Sequence, residues 1–189
     1  MSYANLYGHC QAQRIPVGRK VVADYLFDVL HLPRAKLWRD GLNTDRVRGY
    51  YISGKNTNHR FVQQNGGLPV VVFARTLDDN WSRFVIVKEL MHLFDDPFHS
   101  LGSPPELDAL LTEFTSGLPH RSTAMDSEID SFWMALGCLC PEGMRQEMQQ
   151  ARGVSMSDSD IAARLEIPTQ YVPHLFTPTF KNIISELIA

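Results

Sequence analysis

Lys88-Glu89-Leu90-Met91-His92 departs at one position from His-Glu-x-x-His, a helical pattern in which two histidines one turn apart hold zinc and the intervening Glu activates a bound water. Lys88 stands at the first ligand position. An ammonium group offers no lone pair until it loses a proton, and its unperturbed pKa is about 10.4, so it repels a metal cation. The flanking residues place the motif in an interior. At about 100° per residue, Phe84, Ile86, Val87, Leu90, Met91, Leu93 and Phe94 cover most of the helix circumference and leave Lys88, Glu89, His92 and Asp96 in one narrow arc. A helix this apolar is expected to be buried, with the polar arc lining a cleft where each charge needs a partner. The competing reading is a Lys88–Glu89–His92 salt-bridge cluster on a half-exposed helix.

A second helix is predicted from Asp126 to Pro141. Ile129, Phe132, Trp133, Leu136, Leu139 and Cys140 recur at helical spacing and form a core-facing stripe. Glu128 lies at the edge of that stripe, whereas Asp130 projects away from it. A carboxylate turned toward an apolar face needs a counter-charge, and a metal ion or the Lys88 ammonium would supply one. The helix dipole, favouring an acidic residue in the first turn, is the plainer alternative.

Together these elements resemble the ImmA/IrrE-type metallopeptidases. That family carries His-Glu-x-x-His on one helix, a later helix with a pattern like Glu-x-Glu-Ala-Asn-x-Phe-Ala-x-x-Leu-Leu-x-Pro, and a helical tail. Glu128-Ile-Asp130-Ser-Phe, continuing through Ala135 to Leu139-Cys-Pro141, is similar to the second element, and the likeness runs from about residue 68 to 175. The departures are Lys88 for the first histidine, and Asp130 and Ser131 for the usual Glu-Ala.

The resemblance implies an α+β, mainly helical zincin-like domain with a small β-sheet and a C-terminal helical segment. It implies Glu89 as general base, His92 as the remaining histidine ligand, Glu128 as the third ligand, and zinc as the cofactor. With Lys88 replacing one of three protein ligands, zinc is expected to be absent or weakly bound. A shifted site would recruit Asp96 or His99 as a substitute ligand, although Pro97 disfavours helical geometry at Asp96. The preferred alternative is that the Lys88 ammonium acts as a charge surrogate and keeps Glu89 and Glu128 paired.

At 189 residues and 44% hydrophobic, the chain can bury one sizeable core, and a single domain over 1–189 is expected: an N-terminal helix and sheet (1–75), the motif helices (76–152) and a C-terminal helical segment (153–189). The net charge of −3 gives no broad electrostatic footprint for nucleic acid or an anionic membrane. No apolar run approaches the roughly 20 residues of a membrane span, and the start lacks the pattern of a secretory leader. Cys10, Cys138 and Cys140 do not form a disulfide framework, and Cys138 and Cys140 diverge on their helix, so a cytoplasmic protein is expected.

Residues 18–32 read as an amphipathic helix stopped before Pro33. Residues 49–53 and 68–75 read as strands joined by a polar loop, the second with a continuous Val70-Val71-Val72-Phe73 run. Asp78 or Asp79 is placed to cap the motif helix; a further helix is expected at 105–114 and a loop at 117–123. Residues 157–175 have the outline of a helix-turn-helix with Ile161, Leu165 and Val172 as its small core. The second helix offers Thr169, Gln170 and Tyr171 but neither Lys nor Arg, and Pro173 is expected to interrupt it, so packing against the main core is preferred to DNA reading.

Two functional classes remain open. One is a metallopeptidase-family protein that, as the resemblance implies, acts on a helix-turn-helix repressor or antitoxin-like regulator. The other is a non-catalytic protein-binding module that retains the peptide cleft, or a small DNA-binding regulator acting through 157–175. In either peptide-binding case, an exposed edge of the 68–75 strand would let a peptide add as a further strand.

Overall fold

The computed structural model describes residues 2–95 and 123–189. Asp96, Pro97, His99 and the helix expected at 105–114 lie outside the described residues, as does the expected 117–123 loop except for Thr123, which already belongs to a helix. The fold is α+β: helices surround a small three-stranded mixed sheet. Among the described residues no helix is long and apolar enough to cross a membrane.

In chain order the elements begin with α1 (Tyr3–Gln11) and α2 (Arg19–Asp24), which continues as a π-helical turn through Tyr25–Val29. Then come β1 (Lys36–Asp40), β2 (Gly49–Ile52), α3 (Arg60–Gln64), β3 (Val70–Ala74) and α4 (Asp79–Met91). After the undescribed stretch follow α5 (Thr123–Leu139), α6 (Glu142–Ala151), α7 (Asp158–Leu165), α8 (Val172–Leu175) and α9 (Pro178–Ile188).

The run Val70-Val71-Val72-Phe73 is buried on both faces, as a central strand must be. Val71 and Phe73 turn toward the main core, whereas Val70 and Val72 join Ile52, Phe61 and Val62 in a smaller cluster on the other side. The sheet order is β1-β3-β2, with β1 parallel and β2 antiparallel to β3. This corrects the expected binding edge. Strand 68–75 is paired on both sides, so β1 and β2 hold the open edges among the described strands.

Two N-terminal elements are illegible in the sequence. β1, with the exposed sequence Lys-Leu-Trp-Arg, carries neither alternation nor a buried run, because it is an edge strand held chiefly by its ladder. α1 shows only the sparse stripe Tyr3, Leu6 and Cys10, yet all three are buried. Tyr3 donates from its hydroxyl to the Met134 carbonyl at 3.0 Å and fixes α1 across α5.

α4 lies against the sheet at Gly49, where a Cβ would strike the Val85 side chain and come within 2.9 Å of the Val72 carbonyl. On its other flank Phe84 packs on Phe132 of α5 (ring centroids 5.8 Å) and on Tyr171 (4.6 Å), which also meets Phe132 at 5.0 Å. These rings fasten the motif helix, the acidic helix and the C-terminal segment into one buried cluster.

Buried Arg83 ties the ends of the chain to α4. Its guanidinium donates to the carbonyl of Val17 (Nε, 2.9 Å) and to those of Leu165 (2.7 Å) and Glu166 (3.0 Å) at the end of α7. A cation at a helix C-terminus also meets the negative end of the dipole.

The 157–175 segment packs inward: Ile161, Leu165, Tyr171, Val172 and Leu175 are all buried. α7 carries a capping box between Ser157 and Asp160. Its partner is a single 3₁₀ turn followed by the four residues of α8. Pro173 does not interrupt this second helix but starts it, since the first turn of a helix needs no N–H from it.

Candidate functional site

The motif helix ends where its chemistry begins. Asp78 caps α4 by accepting from Trp81 N–H at 2.8 Å, and every residue from Ser82 to Met91 is buried. The α-helical geometry stops at Met91, and His92–Phe94 forms one 3₁₀ turn. That change of pitch decides which acid faces the histidine. In a 3₁₀ turn residues i and i+3 eclipse, so His92 stands over Asp95.

Lys88, Glu89, His92 and Glu128 meet in one buried cluster. Their side chains are 6%, 2%, 6% and 15% exposed. Lys88 Nζ donates to Glu89 Oε1 at 2.9 Å and also to Glu128 Oε2 on α5. His92 Nε2 points between the carboxylates, 3.3 Å from Glu128 Oε1 and 3.6 Å from Glu89 Oε2. Glu89 Oε2 itself has no hydrogen-bond partner among the described residues although it is buried.

Behind the ring, Nδ1 donates to Asp95 Oδ2 at 2.6 Å, with Ser127 Oγ at 3.1 Å and Ser131 Oγ at 3.3 Å. Ser127 donates to the same Asp95 oxygen at 2.6 Å. Tyr51 of β2 stacks on the His92 ring, with centroids 5.8 Å apart and planes 24° from parallel. A groove of about 470 Å³ opens beside it, lined by Tyr51, Ser53, Leu68, Pro69, His92 and Asp95 among others.

Burial disfavours every charge here, and the ion pairs overcome it. Burial pulls Lys88 toward neutrality, but the Glu89 and Glu128 carboxylates more than offset this and push its pKa above the ordinary lysine value. Burial also pulls His92 down, against the hydrogen bonds to Asp95 and Glu128 and the Glu89 charge, and the balance raises it to about 9. Burial raises Glu128, but the Lys88 and His92 charges outweigh it and hold the carboxyl well below the usual range.

The groups that the resemblance names as zinc donors are engaged with one another and with Lys88. Lys88 is an ammonium engaged by the two carboxylates that would face a metal, and His92 at neutral pH carries the proton that a ligand nitrogen must lose. Among the described residues no group of three or more His, Cys, Asp or Glu is arranged to hold a metal. The three cysteines are free and buried, and burial is the leading cause of the raised pKa of both the Cys138 and Cys140 thiols.

The cluster imposes a pH dependence on stability. The folded-state pKa of His92 lies above its ordinary 6.5, so its contribution is fully present below about pH 6.5 and is lost as pH rises through about 9. The span corresponds to roughly 3 kcal/mol. Glu128 acts oppositely: its depressed pKa gives stability that is present above the ordinary carboxylate pKa of about 4.5 and lost as pH falls below it. Urea denaturation across pH should show maximal stability near pH 5–7, and His92→Gln should flatten the alkaline limb. An unchanged alkaline limb in that variant would rule out His92 as its source.

Sequence reading found Lys88, Glu89, His92 and Glu128 because each interrupts an apolar helix face. It missed Asp95, Ser127, Ser131 and Tyr51. Asp95 depended on where the α-helix stopped, and Tyr51 comes from a strand whose distance from the helix no local pattern encodes. No protein-family model, curated protein or solved structure gives a significant match to this chain.

Proposed function

We propose that the chain is a zincin-like, ImmA/IrrE-type protein whose metal has been replaced by the Lys88 ammonium, and that it works by binding a protein partner in its cleft and not by cutting it. The observation that carries this reading is the bridge from Lys88 Nζ to both Glu89 and Glu128, across the two helices that in the family supply base and ligands. The histidine supports the ancestry. Its Nε2 faces the cluster and its Nδ1 is backed by Asp95, the second carboxylate that ordinarily orients a ligating histidine. The groove beside His92 gives an extended segment a place to lie, and the family resemblance makes a helix-turn-helix repressor or antitoxin-like regulator the partner class.

One observation favours a second, catalytic reading. Glu89 Oε2 is buried without a hydrogen-bond partner among the described residues, as suits a base that must keep a lone pair for water. The two readings separate on metal and on turnover. Protein purified without chelator and incubated with zinc should contain far less than one equivalent by elemental analysis, and should leave an unstructured peptide mixture intact by mass spectrometry. One tightly held zinc per chain, or cleavage abolished by Glu89→Gln, would overturn the binding-module reading.

A further inference from the structure

Among the described residues β1 leaves half of its backbone ladder open. Lys36 N–H donates to the Pro69 carbonyl, and the Asp40 carbonyl accepts from Arg75 N–H, each at 2.9 Å. Successive residues of a strand turn their backbone groups to opposite sides, so Lys36, Trp38 and Asp40 bond to β3 while Leu37 and Arg39 direct N–H and C=O outward. No described strand covers that edge. The register with β3 runs unbroken from Lys36↔Val70 to Asp40↔Ala74, and the strand contains no proline. Leu37 and Trp38 are large apolar side chains left 40% and 37% exposed. An open, regular edge with apolar side chains is a template for another strand.

The sequence of β1 selects which strand. We propose that β1 pairs antiparallel with β1 of a second copy of this chain, about a two-fold axis through Trp38, so that the two sheets become one. In this register Leu37 lies opposite the partner's Arg39, and both have outward backbone groups, so the pair exchanges two hydrogen bonds on each side of the axis. Lys36 then lies opposite the partner's Asp40 in the closely spaced, non-hydrogen-bonded position, and the symmetry repeats this ion pair. Trp38 meets its own copy on the axis, held there by packing on Phe61 at 5.0 Å between ring centroids. Moving the axis to Leu37 would set Lys36 against Trp38 and put Asp40 opposite Arg34, which lies outside the strand and already pairs with Asp28. The single lysine that would deter a foreign strand is therefore neutralised by a second copy, which makes the interface isologous and self-selecting.

Sedimentation equilibrium of the full-length chain over a concentration series tests this. A reversible monomer–dimer equilibrium is expected. Asp40→Lys replaces two attractions with two repulsions and should raise the dimer dissociation constant about tenfold, and the exchange Lys36→Asp with Asp40→Lys should restore it. Leu37→Pro removes an outward N–H without touching the bonds to β3 and should abolish the dimer. Far-ultraviolet dichroism verifies the fold of each variant, and if Leu37→Pro does not fold, the charge exchange decides. A chain monomeric to about 100 μM, a dimer indifferent to Asp40→Lys, or a charge exchange that fails to restore association would each overturn the proposal.

Discussion

Lys88→Met is expected to destabilise the protein by about 3–5 kcal/mol at neutral pH, the usual loss when one member of a buried ion pair is removed and its partner stays behind uncompensated. Methionine nearly preserves the volume, so cavity formation contributes little and the effect reports charge. Two carboxylates are stranded, since Glu89 and Glu128 both accept from the same ammonium. For a chain of this length the melting temperature should fall by about 10 °C. The deficit should shrink as pH falls, because without the Lys88 charge burial favours the protonated form of Glu128. Glu128→Gln added to Lys88→Met should recover part of the stability, and a double-mutant cycle measures the coupling. A loss below about 1 kcal/mol would place the pair in the range of exposed salt bridges and contradict its burial.

The second large effect is a gain. Lys88→His should create a zinc dependence that the proposed reading denies to the parent, with the introduced imidazole standing one turn from His92 and across from Glu128. Zinc bound only by the folded state stabilises it by about 2.7 kcal/mol when free metal is a hundredfold above the dissociation constant, so the melting temperature should climb with zinc concentration. The affinity should increase with pH, because a proton must leave His92 before its Nε2 can coordinate. If the variant is folded and its melting temperature ignores zinc, the groups meet as a salt-bridged cluster but not in ligand geometry.

Both predictions rest on residues legible before any coordinates, and the reason is general. A charge on a face otherwise built of Phe, Ile, Val and Leu costs several kcal/mol unless something meets it, so Lys88, Glu89 and Glu128 each announced a partner. The partner's identity was harder. Glu128 lies far along the chain from Lys88, and its position at the edge of an apolar stripe leaves a metal ion and the Lys88 ammonium equally open as its counter-charge; the ion pair to Lys88 is a matter of tertiary structure. Val70 to Phe73 is readable as a buried strand because both of its faces are apolar, and the cap is readable to within one residue, Asp78 or Asp79, because a cap acts locally; Asp78 takes it. The placement of that strand at the sheet centre is not readable, because it depends on β1, whose five residues carry no hydrophobic pattern of their own. Asp95 was hidden for a different reason: the change from α to 3₁₀ geometry at His92 brings it to the histidine, and Pro97, the one breaker the sequence offers nearby, speaks only for the residue just before it.

The lysine at position 88 has a consequence for how the cleft would behave in a cell. A metal ion is a loan: it must be supplied, it exchanges, and chelators or starvation take it away. An ammonium joined to its own backbone is present at an effectively fixed local concentration from the moment the helix forms, and a chelator has nothing to remove from Glu89 and Glu128. On the proposed reading, the arrangement of α4 against α5 is thereby insulated from fluctuations in metal supply, and its order follows folding alone.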